Sequence, residues 1–137
     1  MEIKISTTTT IEEIKSWFSA QFQQLKIEFF LDEDHDGRFS SEDMIMDNNV
    51  EIGSIRETGS DGVLKISRKT TVSALERLFQ ESFGVNVEVF RRSGNLWLLT
   101  IATDNLSLSE QNELAAASLK KPIHESQIDY IDLNELE

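Results

Sequence analysis

Ile3 and Ile5 alternate with polar neighbours at the start of the chain, and Leu25, Ile27, Phe29 and Leu31 alternate again farther on, the period of a half-buried strand. Between them Ile11, Ile14, Phe18 and Phe22 step by three, four and four, which gathers one apolar stripe on a helix. The same order then returns. Val63 or Leu64 with Ile66 predicts a strand, Val72, Leu75, Phe79 and Phe83 predict a helix, and Val85, Val87 and Val89 predict a second strand.

The two runs superimpose. At an offset of 61, Ile5, Ile11, Ile14, Trp17, Phe18 and Phe22 fall on Ile66, Val72, Leu75, Leu78, Phe79 and Phe83. After a one-residue deletion Ile27-Glu28-Phe29-Phe30 falls on Val87-Glu88-Val89-Phe90 at offset 60, and Asn49-Val50-Glu51-Ile52 falls on Asn105-Leu106-Ser107-Leu108 at offset 56. A unit of about 50 residues is one supersecondary element that cannot bury its own apolar face, so two copies are expected to share one core.

The ends of these elements are marked as well. Thr10 before Ile11-Glu12-Glu13 and Thr71 before Val72 are expected N-caps, and Gly84 closes the second helix where Gln23 and Gln24 stand in the first copy, predicting a looser end there. Ser93-Gly94-Asn95 predicts a hairpin into a strand over 96–101, and Asp36-Gly37 before Arg38-Phe39 predicts one in the first copy. A last helix is expected from a cap at Ser107 or Ser109 to about Lys120, before Pro122. The fold class is therefore α+β: two pseudo-symmetric βαββ repeats (3–56 and 63–112) in one domain over 1–124, as a ferredoxin-like (split βαβ) antiparallel sheet with helices on one face. Paired β-grasp-like units are the alternative, and 125–137 is left as an acidic C-terminal tail.

Composition narrows the chemistry. The chain has 137 residues, a length that buries roughly two-thirds of its unfolded surface in one core, and no cysteine, which removes disulfides and thiolate sites. No apolar stretch approaches a membrane span and the start lacks a signal-like segment, so a cytoplasmic protein that does not meet the membrane is expected. The net charge of −12 is unevenly spread: residues 32–47 hold seven acids and one base, 125–137 hold five acids and no base, and the remainder is nearly neutral.

The densest acidic run has a recognisable frame. Asp32-Glu33-Asp34-His35-Asp36-Gly37-Arg38-Phe39-Ser40-Ser41-Glu42-Asp43 resembles the twelve-residue loop of an EF-hand, with Asp32, Asp34, Asp36 and Asp43 as carboxylate ligands, the Arg38 carbonyl, a water held by Ser40, and Gly37 at the sharp turn. Asp43 replaces the usual bidentate Glu, which weakens calcium and relatively favours magnesium, and strand rather than helix spacing leads into Asp32. Calcium or magnesium is thus the one cofactor the sequence suggests, on a hairpin rather than an EF-hand.

Thr71-Val72-Ser73-Ala74-Leu75-Glu76, the run from Phe83-Gly84-Val85 to Leu96-Trp97-Leu98, and Thr103-Asp104-Asn105-Leu106-Ser107-Leu108-Ser109-Glu110-Gln111-Asn112 together resemble a family of small uncharacterised Bacteroidetes-type bacterial proteins built of tandem strand-helix-strand units. The resemblance is close in the second copy and weaker in the first. It implies a shared fold and carries no catalytic residue.

Catalytic motifs are lacking: no Cys, two His, one Tyr and no Gly-rich phosphate loop, so no enzyme is expected. Arg91, Arg92 and Trp97 form a small potential platform, but the absence of a basic face argues against nucleic acid. The expected function is a non-enzymatic protein-interaction or regulatory module, a monomer, that uses the acidic hairpin and the tail with Asp129, Tyr130 and Asp132 against a basic protein surface. Divalent-cation binding through 32–43 and sequestration of a basic partner are the alternatives.

Overall fold

The computed structural model describes residues 1–32 and 39–119. Strand β1 (Glu2–Ile5) leads through a turn, in which Ser6 N–H donates to Thr9 Oγ1 at 2.9 Å, into helix α1 (Ile11–Gln21). Thr10 caps α1 as predicted: its Oγ1 accepts from Glu13 N–H at 3.2 Å while the Glu13 carboxylate accepts from Thr10 N–H at 3.1 Å. Strand β2 (Leu25–Phe30) and the short helix α2 (Ile52–Ile55) complete the first half.

The second half runs through β3 (Gly62–Lys65), α3 (Val72–Leu78), β4 (Asn86–Ser93), β5 (Leu96–Leu99) and α4 (Leu108–Leu119). Thr71 caps α3, with Ala74 N–H donating to its Oγ1 at 3.1 Å. Helix α3 continues as a π-helical turn over Phe79–Phe83 and ends at Gly84, whose φ of 71° lets its own N–H reach Gln80 O at 3.2 Å and Val85 N–H reach Phe79 O at 3.2 Å. Helix α1 ends instead on Phe22, buried and extended, with its N–H donating to Phe18 O at 3.0 Å and no left-handed cap.

The α+β class is observed, but the strands do not make one ferredoxin-like sheet. Pairing is β1 with β3 in one antiparallel sheet and β2-β4-β5 in another. Nor do the ladders stay inside side-by-side β-grasp units, because β1 and β2 each pair with a strand from the other half. The reason lies in the turns after Ile5 and Ile66: Thr9 N–H to Ser6 O and Thr70 N–H to Ser67 O, both 3.1 Å, swing the chain out of each short first strand, which is then left to pair with its mate.

In both ladders a residue faces its own counterpart. Ile3 pairs with Leu64, an offset of 61, and Glu28 with Glu88, an offset of 60. Backbone bonds recur at the same offsets: Glu12 N–H to Asn48 O and Ser73 N–H to Asp104 O are both 2.9 Å, and Ile52 N–H to Thr9 O and Leu108 N–H to Thr70 O are both 2.8 Å. The apolar stripes of α1 and α3 meet the inward positions of β2 and β4 in one core, where Phe29 sits edge-on to Phe79 with centroids 5.8 Å apart.

The first hairpin is longer than Asp36-Gly37 predicted. The strand partner of β2 begins at Met44, opposite Phe30, with Leu31 N–H donating to Asp43 O at 2.9 Å and Ile45 N–H to Phe29 O at 2.8 Å. Phe39 does not enter a strand. It stacks on Phe30 at 5.5 Å, and Ser41–Asp43 form a 3-10 turn.

A Cβ at Gly84 would run into the Thr58 carbonyl, and the positive φ adds strain. Gly84→Ala is expected to cost about 2 kcal/mol or more in denaturant unfolding, while Gln23→Ala, exposed at the matching end of α1, stays within about 0.5 kcal/mol. Equal losses would remove the special status of this helix end.

Candidate functional site

The residues singled out by sequence fall in three places. Asp32, Ser40 and Asp43 stand at the root of the first hairpin, while Asp34, Asp36 and Arg38, and Asp129, Tyr130 and Asp132 of the tail, lie outside the described residues. The Leu31–Asp43 bond brings the first and last members of the calcium-type frame to neighbouring positions. The Asp43 carboxylate is already engaged, accepting from Ser40 N–H at 2.8 Å and facing Ser40 Oγ at 3.4 Å. Around it the surface is acidic and partly apolar: Glu42 and Asp47 are exposed, and Met46, next to Asp47 in the chain, is 78% exposed.

Arg91 and Arg92, adjacent in sequence, point to opposite sides of β4. Arg91 is buried and ties β4 to α4, its Nη1 donating to Gln111 Oε1 and to Thr103 Oγ1, both at 3.2 Å, while Gln111 Nε2 donates to Thr103 O at 2.7 Å. Arg92 is exposed, with its guanidinium 6.0 Å from the Trp97 ring centre. Lys26 lies over the same ring at 5.1 Å and over Phe90 at 5.3 Å, so a row of cations and aromatics crosses this face of β2-β4-β5.

A cluster that sequence reasoning passed over lies beside the Glu28–Glu88 pair. In the first half, Lys15 Nζ on α1 is 2.7 Å from Glu28 Oε1 and 3.0 Å from Asn48 Oδ1, and Lys26 Nζ is 3.1 Å from Glu28 Oε2. The offsets that align the backbone place Glu76 where Lys15 stands, Glu88 where Glu28 stands and Asp104 where Asn48 stands. An ion pair in one half is thus a gathering of carboxyls in the other. The signal was present in the aligned copies, but alignment by apolar matches gives a polar position no weight.

Burial pushes the Glu76 carboxyl up to about 9, aided by the charge of Glu88, a hydrogen bond to the Glu88 carboxyl and the charge of Asp104. Glu88 is also raised, by burial first and then by Asp104, while its bond with Glu76 works the other way. A cleft of about 310 Å³ opens on both, lined also by Phe39, Ser73, Arg77 and Val87.

A second cleft of about 510 Å³, sharing Gln80 and Asn86 with the first, is lined by Asp32, Arg56, Glu57 and Thr58. Arg56 Nη2 is held 2.6 Å from Asp61 Oδ1, and that hydrogen bond keeps the Asp61 carboxyl below its ordinary range. Among the described residues no group of three or more His, Cys, Asp or Glu is placed to hold a metal ion, and no helix is long and apolar enough to cross a membrane. No family model, curated protein or solved structure matches the chain.

A carboxyl whose folded pKa lies above its ordinary 4.5 contributes stability that is complete below 4.5 and is lost as pH rises toward about 9. Thermal midpoints are accordingly expected to fall between pH 5 and 9, and Glu76→Gln to flatten that slope. Glu76→Lys should recreate the Lys15–Glu28 pair and raise the midpoint at pH 7, by roughly 3–5 °C for each kcal/mol gained in a chain of this size. A midpoint lowered by Glu76→Lys would refute the equivalence of the two clusters.

Proposed function

We propose that the chain is a non-enzymatic interaction module, two pseudo-symmetric βαββ units sharing one core, which meets a basic protein surface through its acidic first hairpin and acidic tail. The observation that carries this reading is the exposed Met46 set among Glu42, Asp43 and Asp47. Interfaces combine a flexible apolar anchor with a charged rim that steers the partner in, and methionine is favoured as such an anchor. The bonds of Leu31 with Asp43 and of Ile45 with Phe29 fix the base of this surface, so less ordering is required on binding. Sequestration of a basic partner would use the same acids.

Titration of the isotopically labelled chain with an oligo-lysine peptide is expected to shift Met44–Asp47, and Met46→Ala with Asp47→Asn to weaken binding several-fold. The shifts should fade with salt as the screening length shortens from about 10 Å at 0.1 M to about 3 Å at 1 M. Shifts that spare this stretch, or that ignore salt, would defeat the proposal. Deleting 125–137 is expected to weaken the same titration further, and undiminished affinity would exclude the tail.

The neighbouring positions of Asp32 and Asp43 favour a second reading, a divalent-cation loop over 32–43. It requires Gly37 to shift on addition of calcium or magnesium at millimolar concentration, and the shift to vanish in Asp34→Ala/Asp36→Ala.

A further inference from the structure

We infer that the face of the β2-β4-β5 sheet carrying Lys26, Arg92 and Trp97 is the docking surface for the chain's own acidic C-terminal segment, 125–137. The register gathers these side chains: Arg92 pairs with Trp97, Phe90 with both Leu99 and Lys26, and Phe90 and Arg92 lie two residues apart on one side of β4. Arg92 is exposed, and Lys26, Trp97 and Leu99 are half-buried, so a strip of cation, aromatic and aliphatic surface meets solvent. Its charge is positive. Glu28 is approached by two ammoniums, Lys15 at 2.7 Å and Lys26 at 3.1 Å. Among the described residues no carboxylate pairs with Arg92, whose Nε donates to Gly94 O at 3.3 Å. Glu88, on the same side of β4, lies about 13 Å along the strand from Arg92, with Phe90 between them.

Two observations select the occupant. The first is where the chain leaves the fold: Ser118 Oγ, in the last turn of α4, donates to Arg92 O at 3.4 Å, so the residues after Leu119 set out beside this strip. The stretch from Leu119 to Asp129 can span up to about 35 Å when extended, against the roughly 10 Å that separate β2 from β5 across β4. The second is complementarity. Residues 125–137 hold five acids and no base, interleaved with Ile128, Tyr130, Ile131 and Leu133. Carboxylates suit Arg92 and Lys26, and the ring and aliphatic side chains suit Trp97 and Leu99. An exposed ion pair is weak by itself, but attachment to α4 makes docking intramolecular and gives the segment an effective concentration in the millimolar range. A basic partner then has to displace the chain's own cations from the tail, a consequence that alone rests on the proposed interaction function.

The contact is tested in the full chain without a partner, so it holds or fails independently of the oligo-lysine titration. The chain has no cysteine, and Asn134→Cys therefore provides a single site for a nitroxide label. We expect the Trp97 indole and the amides of Lys26, Phe90 and Arg92 to lose most of their NMR signal, while the Trp17 indole on α1 keeps its own. Raising salt from about 0.1 M to about 1 M should restore the lost signals, because the screening length falls to about 3 Å. Arg92→Glu should restore them as well. Asp129→Asn/Asp132→Asn, which leaves every described residue unchanged, should do the same and keeps the test open if Arg92→Glu does not fold. Mixing the spin-labelled chain with an isotope-labelled chain that carries no nitroxide should give no loss. Signals untouched by the label, a loss that includes Trp17 equally, or one that ignores salt and both variants would overturn the assignment, the last being what attachment alone produces. Loss in the mixed sample would overturn it in favour of a second copy.

Discussion

The antiparallel pairing of β2 with β4 is the constraint on which the rest of the structure depends. It joins the two halves of the chain at their centres, with Glu28 opposite Glu88, and places Ile27, Phe29, Val87 and Val89 side by side beneath the stripes of α1 and α3. Once β2 and β4 are zipped, β1 is left to pair with β3, α4 is anchored on β4 through Arg91 and Gln111, and Met44 bridges to Phe30 of β2. Each later contact inherits its position from that ladder.

A shared backbone with divergent side chains follows from the same arrangement. The recurring bonds, such as Glu12 to Asn48 and Ser73 to Asp104, use main-chain atoms that any residue supplies, so they constrain sequence weakly. The core positions constrain it strongly, because volume and apolarity must be matched on both sides of the ladder. Between these limits lie polar positions at the rim of the core. Lys15 and Glu76 occupy corresponding sites on α1 and α3, half-buried in each case, yet one neutralises a carboxylate and the other is itself a carboxyl that burial pushes up to about 9. A half-buried acid that must give up its proton is a growing stability cost as pH rises through neutrality.

Much of the element order was legible because it rests on local rules. Period-two and period-3.6 patterns, the Thr10 and Thr71 caps and the Gly84 terminus each act within a few residues, and each appears where expected. The hairpin after β2 was misjudged because Phe39 stacks on Phe30 and Ser40 engages Asp43, so pairing resumes only at Met44. The pairing of strands was not legible either, since alternation shows that a strand has a buried face but not which strand lies beside it. Arg91 and Arg92 illustrate the limit at the level of one residue: adjacent and identical, they are separated by the pleat into a buried anchor and an exposed neighbour of Trp97.

The sequence by itself determined most of the apolar core, where α1 and α3 begin and where the excess negative charge lies, because periodicity, capping and composition are properties of the chain taken a few residues at a time. Only the tertiary structure decided that the strands divide between two sheets, that β2 and β4 meet at Glu28 and Glu88, and that Glu76 and Glu88 line one cleft while Lys15 pairs with Glu28. The physical reason is that proximity across the ladder, and the loss of water that comes with it, gives a glutamate its neighbours and holds its proton, and neither is written in the residues adjacent to it.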